Sequence, residues 1–158
     1  MTEWEVESPS AMLALGAKLA KILRAGDKVA LAGDLGAGKT TLARGILAGL
    51  GYEGEVPSPT FAILQPYVPP LTRLTVTHAD FYRIEDMREF AELGLDDILS
   101  DGVLIAEWPE RLPDLYWLDA LRIAIKSLAG DRRLLTVNAG TGWEGRWPVQ
   151  FQTQSPAQ

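Results

Sequence analysis

The sequence predicts a three-layer α/β domain with a mixed sheet and a C-terminal antiparallel hairpin. Three observations lead there. Short apolar runs alternate with amphipathic helical patterns along most of the chain. One run passes through a glycine-rich turn straight into a helix, in "KVALAGDLGAGKTTLARGILAGLG". The last third, "ALRIAIKSLAGDRRLLTVNA", reads as two strands joined by a turn at Gly130 and Asp131. Alternation of strands and helices puts helices over a largely parallel sheet, and a tight hairpin requires antiparallel neighbours.

The elements follow in order. Trp4 and Val6 alternate with Glu3, Glu5 and Glu7, the pattern of a strand with one buried face. Ser8 supplies an N-cap and Pro9 a first helical position for a helix carrying Leu15, Leu19, Ile22 and Leu23, which Gly26 is expected to stop. "KVALAG" is an almost unbroken apolar run, as in strands covered on both faces. Beyond the glycine-rich turn, Leu42, Ile46 and Leu50 line one side of a second helix ended by Gly51. A loop is expected over 51–60, then a strand in "FAILQPY", whose Pro66 confines it to an edge or a strand end. "LTVTHAD" alternates as a strand, and "GVLIAEW" is another buried strand. Between them "EDMREFAELGLDDILSD" holds Met87, Phe90, Leu93 and Leu95 in a helical pattern broken by Gly94. A single domain is placed at 1–140, with 141–158 as a tail that is packed or partly flexible.

Composition narrows the chemistry. The 158 residues, 47% hydrophobic, are enough for one core. There is no cysteine, which excludes disulfides and thiolate nucleophiles, and His78 is the only histidine, which excludes a multi-histidine metal site. The net charge of -6 repels nucleic-acid phosphates and anionic membranes, so direct tRNA or DNA binding is not expected. "MTEWEVESPS" lacks the basic start of an export signal, and no apolar run reaches the roughly 20 residues of a membrane span. A cytoplasmic location is the resulting expectation.

Gly33, Gly38, Lys39 and Thr40 match the pattern G-x-x-x-x-G-K-[ST]. Glycines let the backbone wrap close enough to point its N–H groups at phosphate oxygens, and the following helix offers its positive end. Lys39 would reach the outer phosphates, and the Thr40 hydroxyl would serve a magnesium ion bridging them. A hard cation also needs carboxylates. Asp80 closes "LTVTHAD" and Glu107 closes "VLIAE", and side chains leaving parallel strand ends converge on ligands in such folds. A single strand-end acid more often caps a turn or solvates a loop than serves a site; two of them in one phosphate-binding domain favour function. The guanine-reading Asn-Lys-x-Asp element is missing, since Asn138 is the sole asparagine, and ATP/ADP is preferred.

Taken together, "GDLGAGKTT", "VPSPTFAILQPY", "HADFYRI", "LGLDD" and "LIAEWPE" resemble, in order and spacing, the TsaE (YjeE) family over residues 8–137. The resemblance implies a P-loop NTPase-like ATPase that works with the TsaD and TsaB proteins. That machinery attaches threonylcarbamoyl to adenosine 37 of tRNA, which this chain would meet only through the complex, hydrolysing ATP to support repeated turnover. Carried over by motif, Gly36, Ala37, Gly38, Lys39, Thr40 and Thr41 wrap the phosphates, and Thr40 and Glu107 hold Mg2+. Asp80 polarises the attacking water or holds it through the metal shell. The residues themselves leave open which of Asp80 and Glu107 is ligand and which positions water, so Asp80 is counted with Thr40 and Glu107 as a metal residue, and Lys39 and Asp80 are the catalytic pair. Ser58 and Thr60 sit in a loop that behaves in the family as a γ-phosphate switch, though a proline-stiffened connector explains them equally well. Trp108 covers the nucleotide, presses on a partner or belongs to the core. Arg132 and Arg133 fall near a position that approaches the nucleotide, and Arg133 is taken as the binding residue. Met12 replaces a threonine common among relatives, removing a hydroxyl from the adenine corner. His78 and Tyr82 are expected to pack locally, and Arg83 and Arg111 to meet phosphate, a partner's acid or only solvent. Two rival classes remain: a nucleotide-dependent binding module without essential hydrolysis, and a small P-loop kinase, which the lack of a lid-sized insertion disfavours.

Overall fold

β2 (Lys28–Gly33) lies at the centre of the sheet because its side chains are apolar on both faces, as "KVALAG" requires. It pairs in parallel with β5 (Gly102–Glu107) on one side and β6 (Leu121–Ser127) on the other. β4 (Thr75–Asp80) extends the parallel part beyond β5, and β3 (Leu64–Tyr67) pairs antiparallel at that edge, where Pro66 is tolerated. On the other side β7 (Arg133–Ala139) forms the expected hairpin with β6, and β1 (Thr2–Val6) closes the sheet antiparallel to β7. Among the described residues the order is β1-β7-β6-β2-β5-β4-β3 in a mixed sheet of seven strands. This is a computed structural model, and it describes residues 1–146.

Alternate residues of the central strands enter opposite cores. Val29, Leu31, Val103 and Ile105 meet Met12 and Leu19 of α1 (Pro9–Ala20) and Leu42 and Ile46 of α2 (Lys39–Gly49). Ala30, Leu104 and Ala106 meet Phe90 of α3 (Met87–Leu93), Leu95 of α4 (Leu95–Asp101) and Trp117. α1 and α2 lie close: a Cβ on Gly45 would stand 2.5 Å from the Leu13 carbonyl oxygen, so only glycine fits. None of the described helices is long and apolar enough to cross a membrane.

Several boundaries differ from expectation. α1 ends at Ala20, ahead of Gly26, because Ile22 and Leu23 donate to the carbonyls of Leu19 and Ala20 three residues back; the tightened turn still buries Leu23. The strand expected from Phe61 begins only at Leu64, since the Ile63 N–H turns back to the Pro59 carbonyl at 2.7 Å and Ile63 takes φ 67°. Gly94, at φ 71°, ends α3 and caps α4, dividing the helical pattern where it was predicted to break. Trp143 is buried, and Arg146 holds Asp27 and the Ile22 carbonyl, so the described part of the tail packs on the domain. The rest of the tail, 147–158, lies outside the described residues.

Candidate functional site

β2 runs into the glycine-rich loop, and α2 starts at Lys39. Gly38 is the N-cap at φ 115°, a conformation side chains rarely adopt, and no side chain of the described residues caps the helix. The first N–H groups of α2 are therefore left for an outside acceptor, together with the positive end of the helix. Beside them lies a cavity of about 270 Å³. Gly36, Gly38, Lys39, Thr40 and Thr41 line it from the loop and helix, Ser58 and Thr60 from the segment after α2, and Asp80, Glu107 and Trp108 from strand ends.

The register puts Asp80 beside Glu107 at the carboxyl ends of β4 and β5, both 3% exposed. The Thr40 hydroxyl lies 3.0 Å from Glu107 Oε2 and 3.2 Å from Oε1. Asp80 is held separately: Oδ2 accepts from the Thr60 hydroxyl at 2.9 Å, and Oδ1 accepts from the Tyr82 N–H at 2.9 Å. Ser58 Oγ stands 2.8 Å from Thr60 Oγ1, so both hydroxyls of the loop lead to Asp80. His78 and Tyr82 do more than pack. His78 Nε2 is 2.6 Å from Glu107 Oε2, and the Tyr82 ring stands 4.8 Å from that of Trp108. A period-2 reading places His78, Asp80 and the cavity on one face of β4, but only the tertiary register brings Glu107 to the ring.

Lys39 is turned inward. Its ammonium donates to the Gly33 carbonyl and sits 3.8 Å from the centre of the Trp108 ring. Burial pushes Lys39 below the ordinary lysine value of 10.5, against the opposing pull of Glu107, Glu110, Asp80 and Asp34. Trp108 itself takes φ 57° between β5 and the 3₁₀ turn Pro109–Arg111, a left-handed conformation uncommon for a bulky residue. Its ring covers the lysine.

Gly33, Ala37 and Arg133 lie outside the lining of that cavity. Arg133 Nε donates to the Ala37 carbonyl at 2.9 Å, on the wall of a smaller hollow of about 80 Å³ that also includes Met12, Thr41 and Asp131. Met12 fills the first-helix side of it, 2% exposed. Arg132 instead pairs with Glu5 at 2.7 Å, which separates the two neighbouring arginines. Arg83 and Arg111 stack on aromatic rings, those of Phe61 and Tyr82. Arg44 has no local signature in the sequence: its Nε donates to the Val56 carbonyl at 2.8 Å and fastens the start of the Ser58 loop to α2, a contact between residues twelve positions apart.

Among the described residues no three His, Asp or Glu side chains converge as a metal cage. Thr40, Glu107 and Asp80 are oxygen donors suited to Mg2+, but too few to hold it alone. A cation here would complete its shell with phosphate oxygens and water, as Mg2+ does in nucleotide sites.

The family model for the threonylcarbamoyl adenosine biosynthesis protein TsaE matches residues 6–135. The tRNA threonylcarbamoyladenosine biosynthesis protein TsaE of Streptomyces coelicolor is 44% identical over 146 residues, covering 86% of this chain and 93% of its own. The protein of the same name from Bacillus subtilis is 37% identical, covering 87% of this chain and 85% of its own. Among solved structures, Bacillus subtilis YdiB superposes with a TM-score of 0.73 at 33% identity, covering 90% of this chain and 88% of that one. With the glycine-rich loop, the strand-end acids and the mixed sheet in the places described, the chain belongs to the TsaE family, on a P-loop NTPase-like fold.

Proposed function

We propose that the chain is a Mg2+-dependent ATPase acting in tRNA threonylcarbamoyladenosine formation, hydrolysing ATP to ADP and phosphate to reset a TsaD-TsaB complex between rounds. The observation that carries it is the hydrogen bond from Thr40 to Glu107 at the open N-terminus of α2, with Asp80 alongside. Mg2+ suits these residues, and when bound it would neutralise charge on the β- and γ-phosphates.

Thr40 and Glu107 form the cation side of the site, because they already share a hydrogen bond. The Asp80 carboxylate lies beside Glu107 but hydrogen-bonds to neither of them, and through Thr60 it is tied to the loop that would meet the γ-phosphate. Asp80 is accordingly the group that orients the attacking water, and Lys39 the one that meets the outer phosphates once it leaves the Gly33 carbonyl. Four carboxylates, those of Glu107, Glu110, Asp80 and Asp34, act on Lys39. Their field opposes a bare triphosphate, which is why the nucleotide would come with its cation. Arg133 and Met12 border the hollow on the far side of the loop, where the base would lie.

Leu35 is 87% and Phe61 85% exposed on the phosphate loop and the Ser58 loop. Apolar residues at the mouth of a site whose loops respond to phosphate suit docking of the TsaD and TsaB proteins, with tRNA held by the complex. The test is a reconstituted modification assay with TsaD and TsaB, counting phosphate released per modified tRNA. The proposal requires that Asp80→Asn stop repeated turnover as Lys39→Ala does. Turnover sustained by Asp80→Asn would leave a binding module in its place.

A further inference from the structure

His78 occupies the middle of a strand paired on both sides, opposite Gln65 of β3 and Ile105 of β5, and its side chain is completely buried. Its companions on this side of β4 and β5 are Val76, Val103 and Ile105. A polar ring among such neighbours is costly unless bonded. Its Nε2 meets Glu107 Oε2 at 2.6 Å, while Nδ1 is buried without a partner among the described residues. A carboxylate accepts only, so the proton of this contact is on Nε2.

We propose that His78 is a positioning residue for the cation: it donates Nε2–H to Glu107 Oε2 and fixes the rotation of the carboxylate. Oε1, whose only hydrogen-bond contact among the described residues is the longer one to Thr40 at 3.2 Å, is thereby left for Mg2+ or a water of its shell. Partners of this kind set ligand orientation in metal sites, and losing one lowers metal affinity about 10- to 100-fold. Two ladders hold the backbone of His78, so the ring cannot follow Glu107 if the carboxylate turns. The inference rests on the nucleotide–Mg2+ reading of the site.

Because His78 is the only histidine, the imidazole nitrogens of the whole uniformly ¹⁵N-labelled chain report this one ring. The expected result is a proton on Nε2 and a shift of these signals on adding MgADP that ADP with EDTA does not produce. A bare Nε2, or the same response to both, overturns the proposal. The second arm measures Mn2+ affinity by electron paramagnetic resonance in the presence of saturating ADP. His78→Leu should weaken Mn2+ about 10-fold while leaving ADP affinity without metal within about 2-fold, and His78→Gln, whose amide can donate similarly, should recover most of the loss. Wild-type Mn2+ affinity in His78→Leu overturns it, as does equal loss in both variants. If His78→Leu does not fold, the wild-type imidazole spectra decide. Wild-type protein that binds neither ADP nor Mn2+ with ADP would overturn the nucleotide reading itself, an outcome distinct from unaltered affinity in the variant.

Discussion

The Lys39 ammonium lies 3.8 Å from the centre of the Trp108 ring and donates inward to the Gly33 carbonyl. The lysine that would grip phosphate is thus parked on its own loop beneath an aromatic cover, and ligand phosphate must offer it more than a carbonyl and a ring together.

Nucleotide binding should therefore be visible at Trp108. Drawing Lys39 outward changes the environment of this indole, one of five in the chain. Tryptophan emission is expected to change on adding MgADP in the wild type, and to lose most of that change in Trp108→Phe while titration calorimetry still detects binding.

Lys39→Met should abolish nucleotide binding, by about 100-fold or more, without lowering the stability of the free protein. Burial holds the folded-state pKa of Lys39 below 10.5. Between that depressed value and 10.5 the unfolded chain binds the proton more readily than the folded one, so this group makes stability rise with pH across that window. At neutral pH the charge is present in both states and its burial penalty is complete. Urea unfolding should show Lys39→Met at least as stable as wild type at pH 7, with any advantage shrinking as pH climbs toward 10.5.

Asp80→Asn should keep MgATP affinity within about 3-fold and reduce phosphate release about 100-fold or more, as loss of a water-orienting carboxylate does. Thr60→Val removes the hydroxyl bonded to Asp80 Oδ2 and should reduce release by a smaller factor, about 10-fold. Single-turnover phosphate release separates the two, and equal rates for wild type and Asp80→Asn would remove Asp80 from the chemistry.

Arg146 and Asp27 form a largely buried pair through two contacts of 2.7 Å. Arg146→Ala is expected to destabilise the fold by about 3 kcal/mol, because it strands the carboxylate. The Asp27→Ala, Arg146→Ala double variant should cost less than the sum of the singles, as urea denaturation would show.

Local pattern was enough for much of this molecule. The N-cap at Ser8, the unbroken apolar β2, the break at Gly94 and the edge position forced by Pro66 each follow from a few adjacent residues, because capping, burial on both faces, left-handed backbone and a missing N–H are properties of short segments. The glycine-rich loop was legible for the same reason: its chemistry lies in main-chain N–H groups and one helix terminus, all within eight residues from Gly33 to Thr40.

Tertiary structure decided whatever depends on neighbours distant in sequence. The parallel register of β4 and β5 sets Asp80 beside Glu107, and α2 packing delivers Thr40 to Glu107 while leaving Asp80 to Thr60. His78 seen in sequence is a lone ring on a strand, and its bond to Glu107 exists only across 29 residues. The turn of Trp108 onto Lys39 likewise depends on a backbone conformation that the surrounding packing has to impose. Composition and periodicity decide which face a side chain takes; which partner waits there is settled by strand order and register, set by the summed burial of two cores and written in no single segment.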